Sequence, residues 1–62
     1  MRNMIIVLVT ASSAEEAGKI GNTLVESRLA ACVYVLPGIE SVFSWKGEIC
    51  KDQEYLLLIK TP

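Results

Sequence analysis

Sixty-two residues suffice for one domain, and a domain of that size buries only about 60% of the surface its unfolded chain exposes. Yet 52% of the residues are hydrophobic, more than so small a monomer hides, so a partner surface is expected to take the excess. Six basic and seven acidic residues, scattered without a block of one sign, leave a formal charge of -1 and exclude an electrostatic nucleic-acid footprint.

Met4 to Val9 is the core of a continuous apolar run, MIIVLVT, rich in Ile and Val. It is too short for a membrane span and too short for a helix of its own, so it predicts a strand covered on both faces. The Arg2-Asn3 start lacks the small-residue cleavage site of a signal peptide, and a soluble, cytoplasmic protein is expected.

The period then changes. Ser12 with Glu15, or Ser13 with Glu16, fits a capping box, in which a serine oxygen accepts from a first-turn amide and the carboxylate reaches back at the positive helix end. Ala14, Ala17, Ile20, Gly21 and Leu24, with Ala31 beyond them, recur at three- and four-residue spacing, while Glu15, Lys19, Asn22 and Glu26 take the other side. One face of a helix on a sheet is predicted. Gly18 and Gly21 each weaken that helix by about 1 kcal/mol relative to Ala, which points to close approach to a strand.

Residues 31 to 46 read as one long, bent second strand, with Pro37-Gly38 as a bulge because proline donates nothing to a ladder. WKGE turns the chain, with Gly47 free to take positive φ. Residues 48 to 54, mostly polar, suit an exposed hairpin arm, and YLLLI, residues 55 to 59, is a second interior strand. The expected architecture is α+β, a ferredoxin-like split βαβ in β-α-β-β order with the third strand between the other two. Residues 1–62 are expected to be a single domain, incomplete at its C-terminus, because a second helix and a fourth strand are lacking and half of one sheet face is left without cover.

Chemistry-bearing residues are few. There is no histidine, which removes the commonest general base and metal ligand together. Cys32, at the joint of helix and second strand, is read first as a small apolar core residue and second as a metal ligand, for which a soft ion such as Cu(I) is the best match. Cys50, beside Lys51 in the polar arm, is read as a neutral position, and reduced thiols are expected. Trp45 either caps a cleft or anchors a neighbouring subunit, or it packs within its own chain beside the hairpin. Lys60, at the end of the last strand, either meets an anionic ligand or lifts its charge into water. No carboxylate pair has a spacing that forces a shared pocket, and no nucleophile-base pair is visible. An acylphosphatase-like enzyme would need an anion loop with an Arg after the first strand, where TASSAEE offers acids, and an RNA-recognition sheet would need aromatics where IIVLV and LLLI are aliphatic.

VLVTASSAEEAGKI, LVESRLAACV, the Pro37-Gly38 break, SVFSWKGEI and EYLLLIKT, in that order and register, resemble the N-terminal part of the CutA divalent-cation tolerance family across essentially the whole chain. The resemblance implies a ferredoxin-like fold similar to the PII signalling proteins and a tight homotrimer in which the long second strands pair between subunits, making Val33, Val35, Val42, Phe43 and Trp45 interface residues. It implies a non-enzymatic protein linked to tolerance of copper and other divalent ions, with Cys32 as candidate metal ligand and Lys60 and Trp45 as candidate ligand contacts, and no required cofactor. The alternative it carries is a PII-like small-molecule-sensing or adaptor module. Mammalian members are associated with acetylcholinesterase anchoring, so a protein partner is a further expectation, whereas nucleic acid and membrane are not. Tyr34 departs from the asparagine usual in the family, and the family's C-terminal His-Pro-Tyr segment is not among these residues.

Overall fold

The computed structural model describes residues 3–62; Met1 and Arg2, the latter part of the charged start, lie outside them. Four elements follow in the order β1 (Ile5–Ala11), α1 (Ala14–Glu26), β2 (Cys32–Trp45) and β3 (Glu48–Thr61). All three strands form one antiparallel sheet in the order β1-β3-β2. This is the ferredoxin-like split βαβ, with β3 in the middle, where both its edges are paired.

Helix α1 begins where the serines and glutamates require. Ser13 is the N-cap, and its Oγ accepts from the Glu16 amide at 3.1 Å. The Glu16 carboxylate in turn accepts from the amide of Ser12 at 3.4 Å, one residue before the cap. The helix ends in a Schellman turn. The Arg28 amide donates to Val25 O and the Leu29 amide to Leu24 O, each at 3.0 Å, while Arg28 takes a left-handed φ of 60°. The Thr61 hydroxyl donates to Leu29 O, tying this turn to the end of β3.

α1 lies over the β2-β3 side of one sheet face. Ala11, Ala17, Ala30, Leu57 and Ile59 are buried there, with Val9, Ile20, Leu24, Val33 and Tyr55 packed around them. Among the described residues Leu57 is the one large side chain wholly withdrawn from water. Gly21 is the close-approach glycine, since a β-carbon there would lie 3.4 Å from Val33 Cγ1. Gly18 is not, having nothing within 4 Å.

Three expectations need correction. Ala14, in the first turn, is exposed, and the buried alanine beyond the helix is Ala30, with Ala31 exposed, because the Schellman turn reverses the chain before the helical period reaches Ala31. β1 is not covered on both faces. Ile5, Ile6, Val7 and Leu8 are all exposed, since among the described residues α1 is the only layer and it covers this edge strand at Val9 and Ala11 alone. YLLLI is not a separate strand but the second half of a 14-residue strand whose first half carries the arm.

The long hairpin closes as read. Lys46 and Gly47 have φ of 50° and 79°, the pair of positive values that a two-residue turn matched to strand twist demands. The ladder between β2 and β3 slips between Leu36 and Ile39, which places the bulge at Pro37-Gly38. No described helix is long and apolar enough to cross a membrane.

Candidate functional site

Side chains alternate along a strand, so the registers assign each residue to a face. Leu57 with Val9 and Val35, and Ile59 with Val7 and Val33, face α1. Among the described residues no layer covers the opposite face. Three rows cross it: Ile6, Lys60 and Cys32; Leu8, Leu58 and Tyr34; Thr10, Leu56 and Leu36. Leu8 is 63% exposed and Tyr34 48%. The charged positions of α1 lie on the other side of the molecule, and within these three rows Lys60 is the only charge.

That charge is held. The Lys60 ammonium stands 5.1 Å from the centre of the Tyr34 ring, near enough for attraction to the negative ring face, and Lys60 O accepts from the Ala31 amide at 2.8 Å. Tyr34 therefore has a partner that the sequence did not suggest. Cys32 sits next to Lys60 in the ladder, half-buried and free.

Trp45 lies at the other end of the hairpin. It pairs with Glu48, is 62% exposed, and has the Lys46 ammonium 5.9 Å from its ring. Between it and Lys60 runs most of a β3 strand, about 40 Å at the usual rise per residue, so one chain does not bring Lys60 and Trp45 together. The five residues tied to an interface also divide between faces. Val33 and Val35 are on the α1 side, Val33 against Gly21; beyond the bulge Phe43 and Trp45 fall on the open face and Val42 on the α1 side. Cys50 lies opposite Phe43, free and half-buried.

Among the described residues no three His, Cys, Asp or Glu side chains converge on a point that could hold a metal ion, and there is no enclosed pocket. What the chain offers is a surface. Ile6, Leu8, Leu36, Leu56 and Leu58 are the residues sequence reading missed there. Their signal was alternation within IIVLV and YLLLI, which is hidden when every position in a run is apolar.

The molecule is also extended. Its radius of gyration is 13.7 Å and its extents are 42 × 25 × 17 Å, where a compact chain of this length has a radius of about 10.6 Å. It exposes 4869 Å², against about 4,000 Å² for a compact protein of this mass.

Comparison with known proteins places this arrangement. The model of the CutA1 divalent ion tolerance protein family matches residues 5–62. The divalent-cation tolerance protein CutA of Thermus thermophilus is 54% identical over 56 residues, covering 90% of this chain and 54% of that protein. The chloroplastic protein CutA of Arabidopsis thaliana is 49% identical over 57 residues, covering 92% of this chain and 31% of that protein. The chain thus spans between about a third and about half the length of these relatives. Among solved structures, the Thermus thermophilus Cut A1 superposes with a TM-score of 0.89 at 51% identity, covering 95% of this chain and 57% of that one. A PII-like protein CutA from Nostoc superposes at 0.74 with 37% identity, covering 87% and 50%. The Thermus thermophilus relative is named for tolerance of divalent cations. On its matched length, its identity to these relatives and its shared three-stranded fold, the chain belongs to the CutA1 divalent ion tolerance family.

Proposed function

We propose that this chain acts as a non-enzymatic, self-associating protein of the cytoplasm, a homotrimer, linked to tolerance of divalent metal ions with copper foremost. The observation that supports the reading is the open sheet face. The surplus of exposed surface, on the order of 900 Å², matches the roughly 800 Å² that one partner buries in an interface of standard size. The rows on that face are apolar enough to resemble an interface between identical subunits. A second copy is favoured because β1 and β2 each present an unpaired edge of the same sheet for continuation.

The ion enters this reading through Cys32. The described residues of one chain gather no ligand cage, so a soft ion would be bound where copies bring their Cys32 thiolates together. Multi-angle light scattering of the parent protein tests the assembly, with a trimer expected and a monomer at all concentrations fatal to the reading. Competition for Cu(I) with a chromogenic chelator tests the ion: Cys32→Ser is expected to lose binding and Cys50→Ser to keep it.

A small-molecule-sensing module is the second reading, favoured by the likeness to the PII-like Nostoc protein. Because Lys60 and Trp45 stand at opposite ends of β3, a ligand touching both would be bound between copies. Calorimetric titration with anionic metabolites in the absence of metal separates this reading from the first.

A further inference from the structure

Charge is spread unevenly along β3. Its even-numbered residues share the open face, and they run from Glu48, Asp52 and Glu54 in the arm through Leu56 and Leu58 to Lys60 at the strand end. The arm therefore presents acid, the middle of the face presents leucine, and the far end presents one ammonium. The β2 residues paired with them, from Cys32 to Trp45, are uncharged, and the arm's Glu40 and Lys51 fall on the α1 side.

Within one chain these charges do not meet. Lys60 is six positions from Glu54 and eight from Asp52 along the strand, about 20 Å and about 26 Å at the usual rise per residue, beyond the reach of their side chains. Lys46 stands 5.9 Å from the ring of Trp45, the ladder partner of Glu48, so the turn carries a cation of its own. Asp52 and Glu54 pair with Ser41 and Ile39, which offer none.

Resting on the self-association reading above, we infer that a second copy of this chain lays its arm on the open face with Asp52 and Glu54 against Lys60, so that opposite charges set where the arm docks. The support is charge complementarity between two parts of one face. Over the Leu56 and Leu58 rows the arm's carboxylates would be buried without a counter-ion, which is costly; the Lys60 row supplies one. The Lys60 ammonium is already oriented by the Tyr34 ring at 5.1 Å, so an incoming carboxylate meets a cation that has given up part of its freedom. Acid and base at opposite ends of the face make the contact head to tail, and such a contact closes a ring when the rotation between copies allows. The pairing acts on register and on choice of partner more than on affinity.

Charge reversal in the parent protein tests this. One variant is Lys60→Glu, a second is Asp52→Lys with Glu54→Lys, and a third combines all three changes. Lys51→Glu, on the other face of the arm, controls for net charge. Assembly is read by sedimentation across a concentration series at about 0.01 M and about 0.1 M salt, where the screening length falls from roughly 30 Å to roughly 10 Å, and secondary structure by circular dichroism. The first two variants are expected to weaken assembly about tenfold or more, because like charges then face each other. The third is expected to recover most of that loss, and the control to assemble like the parent. Higher salt is expected to weaken the parent and to strengthen the arm variant, a readout that holds even where Lys60→Glu loses secondary structure. A parent that is monomeric overturns the self-association reading itself. An assembled parent that ignores salt, an arm variant as tight as the parent, a third variant no tighter than the first two, or a control weakened as much as Lys60→Glu overturns the charge pairing and leaves self-association standing.

Discussion

Gly21 of the helix rests on Val33 of the second strand, with Val33 Cγ1 at 3.4 Å from the point a β-carbon on Gly21 would occupy. That separation is ordinary contact for a methyl group and closed to anything larger. Gly18→Ala, with open space around it, is expected to stabilise the protein by about 0.5–1 kcal/mol through helix propensity alone. Gly21→Ala is expected to gain less, and Gly21→Leu to lose about 2 kcal/mol or more as α1 lifts from the sheet. Urea unfolding at one fixed protein concentration measures all three, since association shifts apparent stability.

Leu57 is flanked on the central strand by Val9 and Val35 and is the only large side chain fully buried among the described residues. Leu57→Ala is expected to cost about 2–4 kcal/mol, a large share of what a core this small supplies. Loss of the cooperative thermal transition is the expected outcome, and an unchanged melting temperature would contradict the core assignment.

Lys60 and Tyr34 attract through the ring face at 5.1 Å. A double-mutant cycle with Lys60→Met and Tyr34→Leu is expected to give a coupling energy of about 0.5–1 kcal/mol. A cycle that closes at zero would mean that the ammonium and the ring are independent in solution.

Cys32 and Cys50 do not form an intrachain disulfide. Cys32 pairs with Lys60, ten positions from Cys50 along the same strand, roughly 33 Å at the usual rise and far beyond the ~7 Å limit for a bridge. Thiol titration of the unfolded, unreduced protein is expected to find both thiols free in the monomeric fraction. A bridged monomer would refute the register.

Leu8 stands on the open face and Glu15 on the outer surface of α1, both exposed. Leu8→Glu is expected to break assembly by burying an unpaired charge, whereas Glu15→Leu leaves it intact. Light scattering on the two variants decides between the open face and the helical surface as the region that copies share.

Much of the fold was legible because the signals are local. A serine followed three residues later by a glutamate starts α1, two aliphatic runs give strands, and Lys46-Gly47 and Pro37-Gly38 mark the turn and the bulge within one residue. Cys32 at the helix-strand joint, Lys60 at the strand end and Trp45 at the turn were also placed correctly along the chain. The Tyr34-Lys60 contact was not legible, because it joins residues far apart in sequence whose meeting depends on register.

The sequence by itself determined what each segment becomes and, through its motifs, the family. Only the tertiary structure decided which side chains look the same way. In runs as uniformly apolar as IIVLV and YLLLI every register buries equally greasy residues, so alternation says nothing until a partner strand and a single covering helix distinguish the faces. The extra residue in β2 then lets odd-numbered Phe43 and Trp45 share a face with even-numbered Tyr34 and Leu36, a relation that exists only once β3 is paired beside them.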